Sequence, residues 1–416
     1  MLSVLAPART RAAVREPARV CFLYIAQAHQ VLHSLSAAVE LARRCPDVKV
    51  EVAAGNADVL GYAWRLAEQL GGAPIDWRIL GPAWLRPFAL SDGTLPKVPL
   101  LLAEAARLAR YDVIVAPERT TALLKSLGAN GPKLVYTQHG AGDRGGPFEP
   151  RLRRFDLVFA AGAKQRDRMI DEGLVTTETC AVVGYPKFDL VERLGQRPPR
   201  LFADERPGDE RPIVLYNPHF DARLSSWPRW GLGVLQAFVR QDDYNLIFAP
   251  HLRLFGGRAP EQVKALRPFL DHPRLHMDLG GTTSAIDMTY ARMADVYVGD
   301  ASSQIYEFIE RPRPCLFLNA HGAAWQGDES YRHWRLGPVL DEIADLPAQV
   351  AAARRGHAGY LAAQEEGRRY TFDDAGASAS ARAAEAIARL VGQKLAAGAR
   401  VADAEPAPSL DLALAS

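Results

Sequence analysis

A chain of 416 residues, 48% hydrophobic and 24% charged, is long enough for about two globular domains. Its 50 basic residues nearly cancel its 48 acidic ones, so no global field draws it to nucleic acid, and any anion must be held by local clusters. The four cysteines, Cys21, Cys45, Cys180 and Cys315, show neither metal-ligand spacing nor a disulfide framework, which points to a reducing cytosol.

In chain order, residues 1–19 carry Arg9, Arg11, Arg15 and Arg19 without a continuous apolar core. They read as a flexible basic lead, with weak contact to anionic lipid as the alternative. Apolar, β-rich runs follow: "VCFLYIA" (20–26), "VKVEVAA" (48–54), "DVIVAP" (112–117), "KLVYTQHG" (133–140) and "DLVFAAG" (156–162). Between the first two, "HQVLHSLSAAVELARR" places Val31, Leu32, Leu35, Val39 and Leu41 at helical spacing. Nearly continuous apolar runs separated by helices predict buried parallel strands in a doubly wound sheet, here over residues 20–205. "PAWLRPF" (82–88) reads as packed aromatics, with a membrane-interfacial loop beside Arg86 as the alternative. "VVGYPKFD" (182–189) reads as a strand turning at Gly184, Tyr185 and Pro186, with Lys187 in solvent.

The Pro-rich, charged segment 197–211 reads as a linker. The pattern then restarts with "PIVLYNPH" (212–219), "NLIFAPH" (245–251), "RLHMDLG" (274–280), "DVYVGD" (295–300) and "PCLFLN" (314–319), predicting a second domain over 206–350. Residues 351–397 are expected to form helices packing back across the domains, and 398–416 an Ala- and Pro-rich tail. The fold class is therefore α/β, with two doubly wound Rossmann-like domains facing each other across a cleft. No apolar run approaches the ~20 residues of a spanning helix.

Ligands of such sheets bind at the carboxyl ends of the strands. His139 and Gly140 stand at one such end, His219 at another, and His251 at a third, with Arg253 two residues on. Histidine can take a proton near neutrality or stabilise an anionic oxygen. "VYVGDASSQIYEF" (296–308) ends a strand on Asp300 and opens a helix with Ser302 and Ser303, a corner that either caps itself or holds an anion. A P-loop and a GxGxxG fingerprint are absent, as is a paired-Asp loop for a divalent ion, so chemistry without a metal or a cofactor is expected.

Taken in order, His139–Gly140, Gly184–Tyr185–Pro186 with Asp189, Leu215–Tyr216 with Pro218 and Phe220, Pro250–His251, and Ala294–Asp295 with Asp300, Ser302 and Ser303 resemble the CDP-glycerol glycerophosphotransferases, teichoic-acid-type polymerases and primases of GT-B fold. The resemblance covers roughly residues 133–319 and extends to "FDDAGASASARAAEAI" (372–387). It implies a cytoplasmic enzyme, peripheral at the inner membrane leaflet, that moves a polyol phosphate from a CDP-activated donor to a hydroxyl of a glycan or lipid-linked acceptor and releases CMP. His139 would be the base and His251 would stabilise the donor phosphates. Ser302 and Ser303 would bind the diphosphate and Asp300 would orient their loop. Gly140, Arg144, Tyr185, Pro186, Asn217, His219, Arg253 and Gln304 would complete the substrate contacts. The chain departs from the family where Arg144 stands near the place of a Lys, and where Ala301, His219 and Asp221 replace Tyr, Thr and Arg. Two other readings share the cleft: a GT-B glycosyltransferase or epimerase acting on a UDP-sugar, and a non-catalytic nucleotide-binding scaffold of an envelope assembly complex.

Overall fold

The structure, a computed structural model, describes residues 16–393 apart from 91, 127–130, 144–147, 196–197, 204–209, 256–262, 281 and 375. Arg9, Arg11, Arg15, Arg144, much of the expected linker and the C-terminal tail lie outside the described residues.

Two wholly parallel sheets form. In the first, β1 (Ala18–Tyr24), β2 (Val48–Ala54), β3 (Ile75–Ile79), β4 (Val113–Ala116), β5 (Lys133–Tyr136), β6 (Leu157–Ala160) and β7 (Cys180–Val182) run in the order β3-β2-β1-β4-β5-β6-β7. In the second, β8 (Ile213–Asn217), β9 (Asn245–Phe248), β10 (Leu275–Met277), β11 (Val296–Gly299), β12 (Cys315–Leu318) and β13 (Val339–Leu340) run β10-β9-β8-β11-β12-β13. The central strands are buried from end to end, as their unbroken apolar runs require.

Both halves repeat two devices. An aspartate just before a strand accepts the first free N–H of the neighbouring strand: Asp112 from Arg19 at 2.7 Å, Asp156 from Leu134 at 2.6 Å, and Asp295 from Ile213 at 2.8 Å. These bonds satisfy groups that the ladder leaves open and fix the register at the amino edge. A tyrosine in the first strand also meets a serine ten residues on. Tyr24 pairs with Ser34 and Tyr216 with Ser226, both at 2.9 Å.

The chain differs from its sequence pattern in four places. "HQVLHSLSAAVELARR" does not make one helix: a 3-10 turn (Ala28–His33) ends at Ser34, and the α-helix begins at Leu35. The strands β3 and β13 appear at sheet edges, where the first is half exposed and the second only two residues long. Trp84 and Phe88 are not packed: they are 59% and 64% exposed, and only Leu85 of that turn is buried. Arg86 is exposed too, and its Nη2 donates to the Leu80 carbonyl at 2.8 Å. Lys187 is buried rather than solvated.

The last helices return the chain to the first domain. Helix Leu346–Arg355 packs on the second sheet, while helix Ala379–Leu390 lies along helix Leu35–Arg44. Ser378 caps the returning helix through the Ala381 N–H at 3.2 Å. Ser380 ties it down, its N–H donating to Asp189 at 2.6 Å and its hydroxyl bonding Ser36 at 2.7 Å. On the way, residues 371–372 press against Gly162, where an added Cβ would lie 2.5 Å from the Thr371 carbonyl oxygen. Gly162→Ala is therefore expected to cost about 1–3 kcal/mol through overpacking. A denaturant titration followed by circular dichroism would read it as a lower midpoint at an unchanged slope.

Candidate active site

The carboxyl edges of the two sheets face one another. From the first domain come the turn after β1, the loop 139–143 after β5, and the helix opening at Pro186 after β7. From the second come His219 after β8, His251 after β9, residues 300–303 after β11, and the 3-10 stretch Glu329–Leu336.

Two buried carboxylates hold these edges together, each reaching into the other domain. Asp143 of the first domain accepts from Lys164 Nζ at 2.8 Å, from the Tyr306 hydroxyl at 2.6 Å, and from the backbone N–H of His333 at 3.0 Å, with His333 Nδ1 at 2.9 Å. Glu307 of the second accepts from Lys187 Nζ at 2.7 Å and from the Tyr185 hydroxyl at 2.8 Å. Burial alone would raise the Asp143 carboxyl, but Lys164 and His333 outweigh it and hold it well below the usual carboxylate range. Burial lowers Lys164 against the pull of the same carboxylate, and its ammonium also sits 3.3 Å over the Tyr306 ring.

The network continues into the loop after β11. His333 Nε2 and Trp334 Nε1 meet the Asp300 carbonyl at 3.0 and 2.9 Å. The Asp300 side chain accepts from the N–H groups of His219 at 2.9 Å, Ala301 at 2.7 Å and Ser226 at 2.6 Å, and from the Ser226 hydroxyl at 2.9 Å. Burial still raises the Asp300 pKa. Its carboxylate is fully engaged in holding His219 and its own loop in place.

Imidazoles occupy both facing edges, and for His219 and His251 the partners define which nitrogen carries the proton. His219 Nδ1 accepts from the Asp221 N–H at 3.0 Å, and His251 Nδ1 from the Arg253 N–H at 3.2 Å. A backbone N–H can only donate, so in the neutral rings Nε2 bears the hydrogen. The two rings lie 5.6 Å apart beside Phe220. Opposite them, the buried Nδ1 of His139 has no hydrogen-bond partner. His29 lies 6.0 Å from His139, ring to ring. Burial is the largest cause holding these rings neutral: it lowers His139 and brings His29 and His251 to about 3. His29 also lies within the field of His251 across the cleft.

The remaining expected contacts divide sharply. Gly140 lies against Ser303, whose Oγ would be 3.5 Å from a Cβ added there, so the helix entrance at residues 302–304 sits in the interdomain crevice. Ser302 is buried, its Oγ accepting the Gln304 N–H at 3.3 Å, and Gln304 Nε2 donates to the Ala285 carbonyl at 3.2 Å. Arg253 is exposed and stacks over Phe220 at 4.2 Å. Asn217 is enclosed in the second sheet, with Nδ2 bonded to the Ala249 carbonyl at 2.6 Å. Tyr185 is buried on Glu307, and Pro186 opens its helix with its carbonyl accepting from Ser36 at 3.2 Å. Neither of these two side chains faces open space. Arg144 lies outside the described residues. Sequence reasoning passed over His29, His33, Asp143, Lys164, Glu307 and His333. The only local signal among them is His29 and His33, one turn apart in an apolar segment. Among the described residues, no group of three or more His, Cys, Asp or Glu side chains is placed to hold a metal ion, and no helix is long and apolar enough to cross a membrane.

No family model and no curated protein matches the chain. Solved structures do. UDP-N-acetylglucosamine 2-epimerase from Neisseria meningitidis, bound to UDP-GlcNAc, aligns with a TM-score of 0.57 at 11% identity over 90% of this chain and 99% of that one. S. aureus MnaA in a co-structure with UDP gives 0.58 at 12% over 92% and 100%. A histidine-to-asparagine variant of the wall teichoic acid polymerase TagF, soaked with CDPG, gives 0.58 at 13% over 91% and 88%. The fold is GT-B-like. At such identities the likeness is one of architecture, and it extends over the whole two-domain body.

Two outcomes follow from this geometry. Asp143→Ala leaves Lys164 buried and unpaired, at an expected cost of about 3–5 kcal/mol, whereas Asp143→Leu combined with Lys164→Met should regain only the part due to the stranded ammonium, since the Tyr306 hydroxyl and His333 N–H still lack their acceptor. Denaturant melts of the single and double variants would check this. For pH, His29 and His251 refuse in the folded chain a proton that the unfolded chain accepts near 6.5. Stability should therefore be level above about 6.5 and fall as pH drops from there towards about 3. Melting temperatures across that range should decline less steeply in His29→Gln and His251→Gln.

Proposed function

We propose that this protein is an enzyme acting on a nucleoside-diphosphate-linked donor, a UDP-sugar in the first instance, which it epimerises or whose sugar it transfers. The observation that carries this reading is the set of imidazoles on the two facing edges, His219 and His251 with Nδ1 accepting a backbone N–H and His139 with an unpartnered Nδ1. His219 and His251 present N–H groups on the side of the second sheet, where they suit the oxygens of a diphosphate. The unpartnered Nδ1 of His139, in this reading, carries the lone pair, which suits a proton on the activated group. In this reading the diphosphate lies along residues 219, 251 and 302–303, with Arg253 adding charge from the rim. The backbone N–H groups of the loop after β11 supplement the imidazoles. As charge develops on the leaving diphosphate, the two N–H donors stabilise it, while His139 Nδ1 removes a proton from the sugar or from an attacking hydroxyl.

Several neighbours in architecture, by their names, bind UDP or UDP-GlcNAc, which supports the choice of a UDP-sugar. The enclosed setting of His29 and His139 beside the two carboxylate bridges favours chemistry within one bound molecule, as in an epimerisation. A second reading, transfer of a polyol phosphate from a CDP-activated donor, is favoured by the order of the His-Gly, Pro-His and Asp-x-Ser-Ser motifs and by the likeness to TagF. It would place the same imidazoles on the same phosphates. An envelope glycan or glycolipid would be the acceptor in either form of transfer.

Calorimetry with UDP, UMP, CDP and CMP separates the donors, with UDP expected to bind at least about tenfold more tightly than CDP. Proton NMR of UDP-N-acetylglucosamine, and CMP release from CDP-glycerol, would then report turnover. His139→Asn should lower kcat by about 10²–10⁴-fold with a small change in KM, as expected for loss of a base. His251→Gln should raise the donor KM as well. Absence of nucleotide binding, or turnover retained in both variants, would contradict the assignment.

A further inference from the structure

The first-domain wall of the cleft carries polar atoms that nothing in the protein satisfies. Nδ1 of His29, His33 and His139 and Oε1 of Gln30 are buried without a hydrogen-bond partner. Leaving a buried polar atom unpaired is costly, so several around one turn argue for a partner that arrives from outside. His29, Gln30 and His33 ride the turn Ala28–His33 at the carboxyl end of β1, on the same edge as His139. The rings of His29 and His139 are 6.0 Å apart, and His33 packs edge-on against Tyr185 at 5.2 Å. Tyr185 is itself fixed on Glu307, so His33 stands on a rigid support.

The charges around this wall are already matched. Lys187 pairs with Glu307 at 2.7 Å, Lys164 with Asp143 at 2.8 Å, and Lys97 with Glu118 at 2.6 Å. Burial, together with the mutual repulsion of these rings and Lys187, keeps His29 and His33 uncharged. A neutral imidazole offers one donor and one acceptor, and a hydroxyl asks for the same two. An anionic group would need an unpaired cation beside it, and a cationic one an unpaired carboxylate. Among the described residues, the lysines and carboxylates named above supply neither.

We propose that His29, His33 and His139 form a subsite for an uncharged polyhydroxy group, the sugar or polyol of the activated donor, and that it rejects a charged group at that position. The inference rests on the nucleotide-linked donor reading and adds to it the class of group selected and two residues that select it.

Calorimetry on the full chain tests it with UDP, UDP-N-acetylglucosamine, UDP-glucuronic acid, CDP and CDP-glycerol. The neutral conjugate should bind about tenfold more tightly than its parent nucleoside diphosphate, and UDP-glucuronic acid should gain no such increment. In His29→Leu and His33→Leu the increment should shrink to about threefold or less, with affinity for the bare diphosphate held within about twofold. His33→Gln, whose amide keeps a donor and an acceptor, should retain most of the increment, and melting curves would confirm that each variant is folded. An increment unchanged in both leucine variants, or glucuronate bound as tightly as the neutral sugar, overturns the subsite and leaves the donor reading standing. Failure of the unaltered chain to bind any of these nucleotides overturns that reading, and the subsite with it.

Discussion

The two buried carboxylates that cross between the domains are the constraint on which the rest of the structure depends. Asp143 and Glu307 point in opposite directions: Glu307 takes Lys187 and Tyr185 from the first domain, and Asp143, paired with Lys164 of its own domain, takes Tyr306 and His333 from the second. A buried carboxylate is tolerated only when its oxygens are bonded and its charge is met. These pairs therefore specify one relative placement of the sheets more than they add net stability. A sliding or rotated arrangement would strand Lys187 and Glu307 in low dielectric and would leave Tyr306 and His333 without their acceptor. Through His333 and the Asp300 carbonyl, the Asp143 bridge reaches the residue whose carboxylate holds His219. Closure of the halves and the aim of the second-domain imidazole are thus set by one connected group of bonds.

Once the edges are held together, the chemistry follows from which atoms hydrogen-bond where. Backbone N–H groups two residues downstream fix the tautomers of His219 and His251. None of these partners is itself reactive. They make donors of two rings, and His139 accepting on its unpartnered Nδ1, as proposed, gives an asymmetry that a substrate with an anionic end and a hydroxylated end would read. Ser302 and Ser303 contribute less than their position suggests, because the Ser302 hydroxyl caps its own short turn. The imidazoles, rather than the serine hydroxyls, are the main polar presentation to the second half of a ligand.

The architecture was legible because parallel strands buried on both faces read as unbroken apolar runs. "VIVA", "LVFA" and "CLFL" need no periodicity to be recognised. "IDWRI" escaped notice because, at a sheet edge, only Ile75 of it is buried. His139, His219 and His251 were legible from their places at strand ends. The bridges were not, since Lys187 and Glu307 stand 120 residues apart and Asp143 and His333 stand 190 apart. Lys187 read as a surface residue because its helix carries no local sign of the carboxylate that awaits it. His29 and His33 were hidden in an apolar turn, where a histidine ordinarily signifies packing.

The central claim, that the facing edges present imidazoles of opposite hydrogen-bonding character, can be observed directly by ¹⁵N NMR of the full chain with labelled histidine. At neutral pH the account requires His139 to show an unprotonated Nδ1, and His219 and His251 to carry their hydrogen on Nε2. Addition of UDP should shift the Nε2 signals of His219 and His251 and leave the Nδ1 of His139 unprotonated. A His139 ring that carries its hydrogen on Nδ1, or is doubly protonated at neutral pH, would contradict the account.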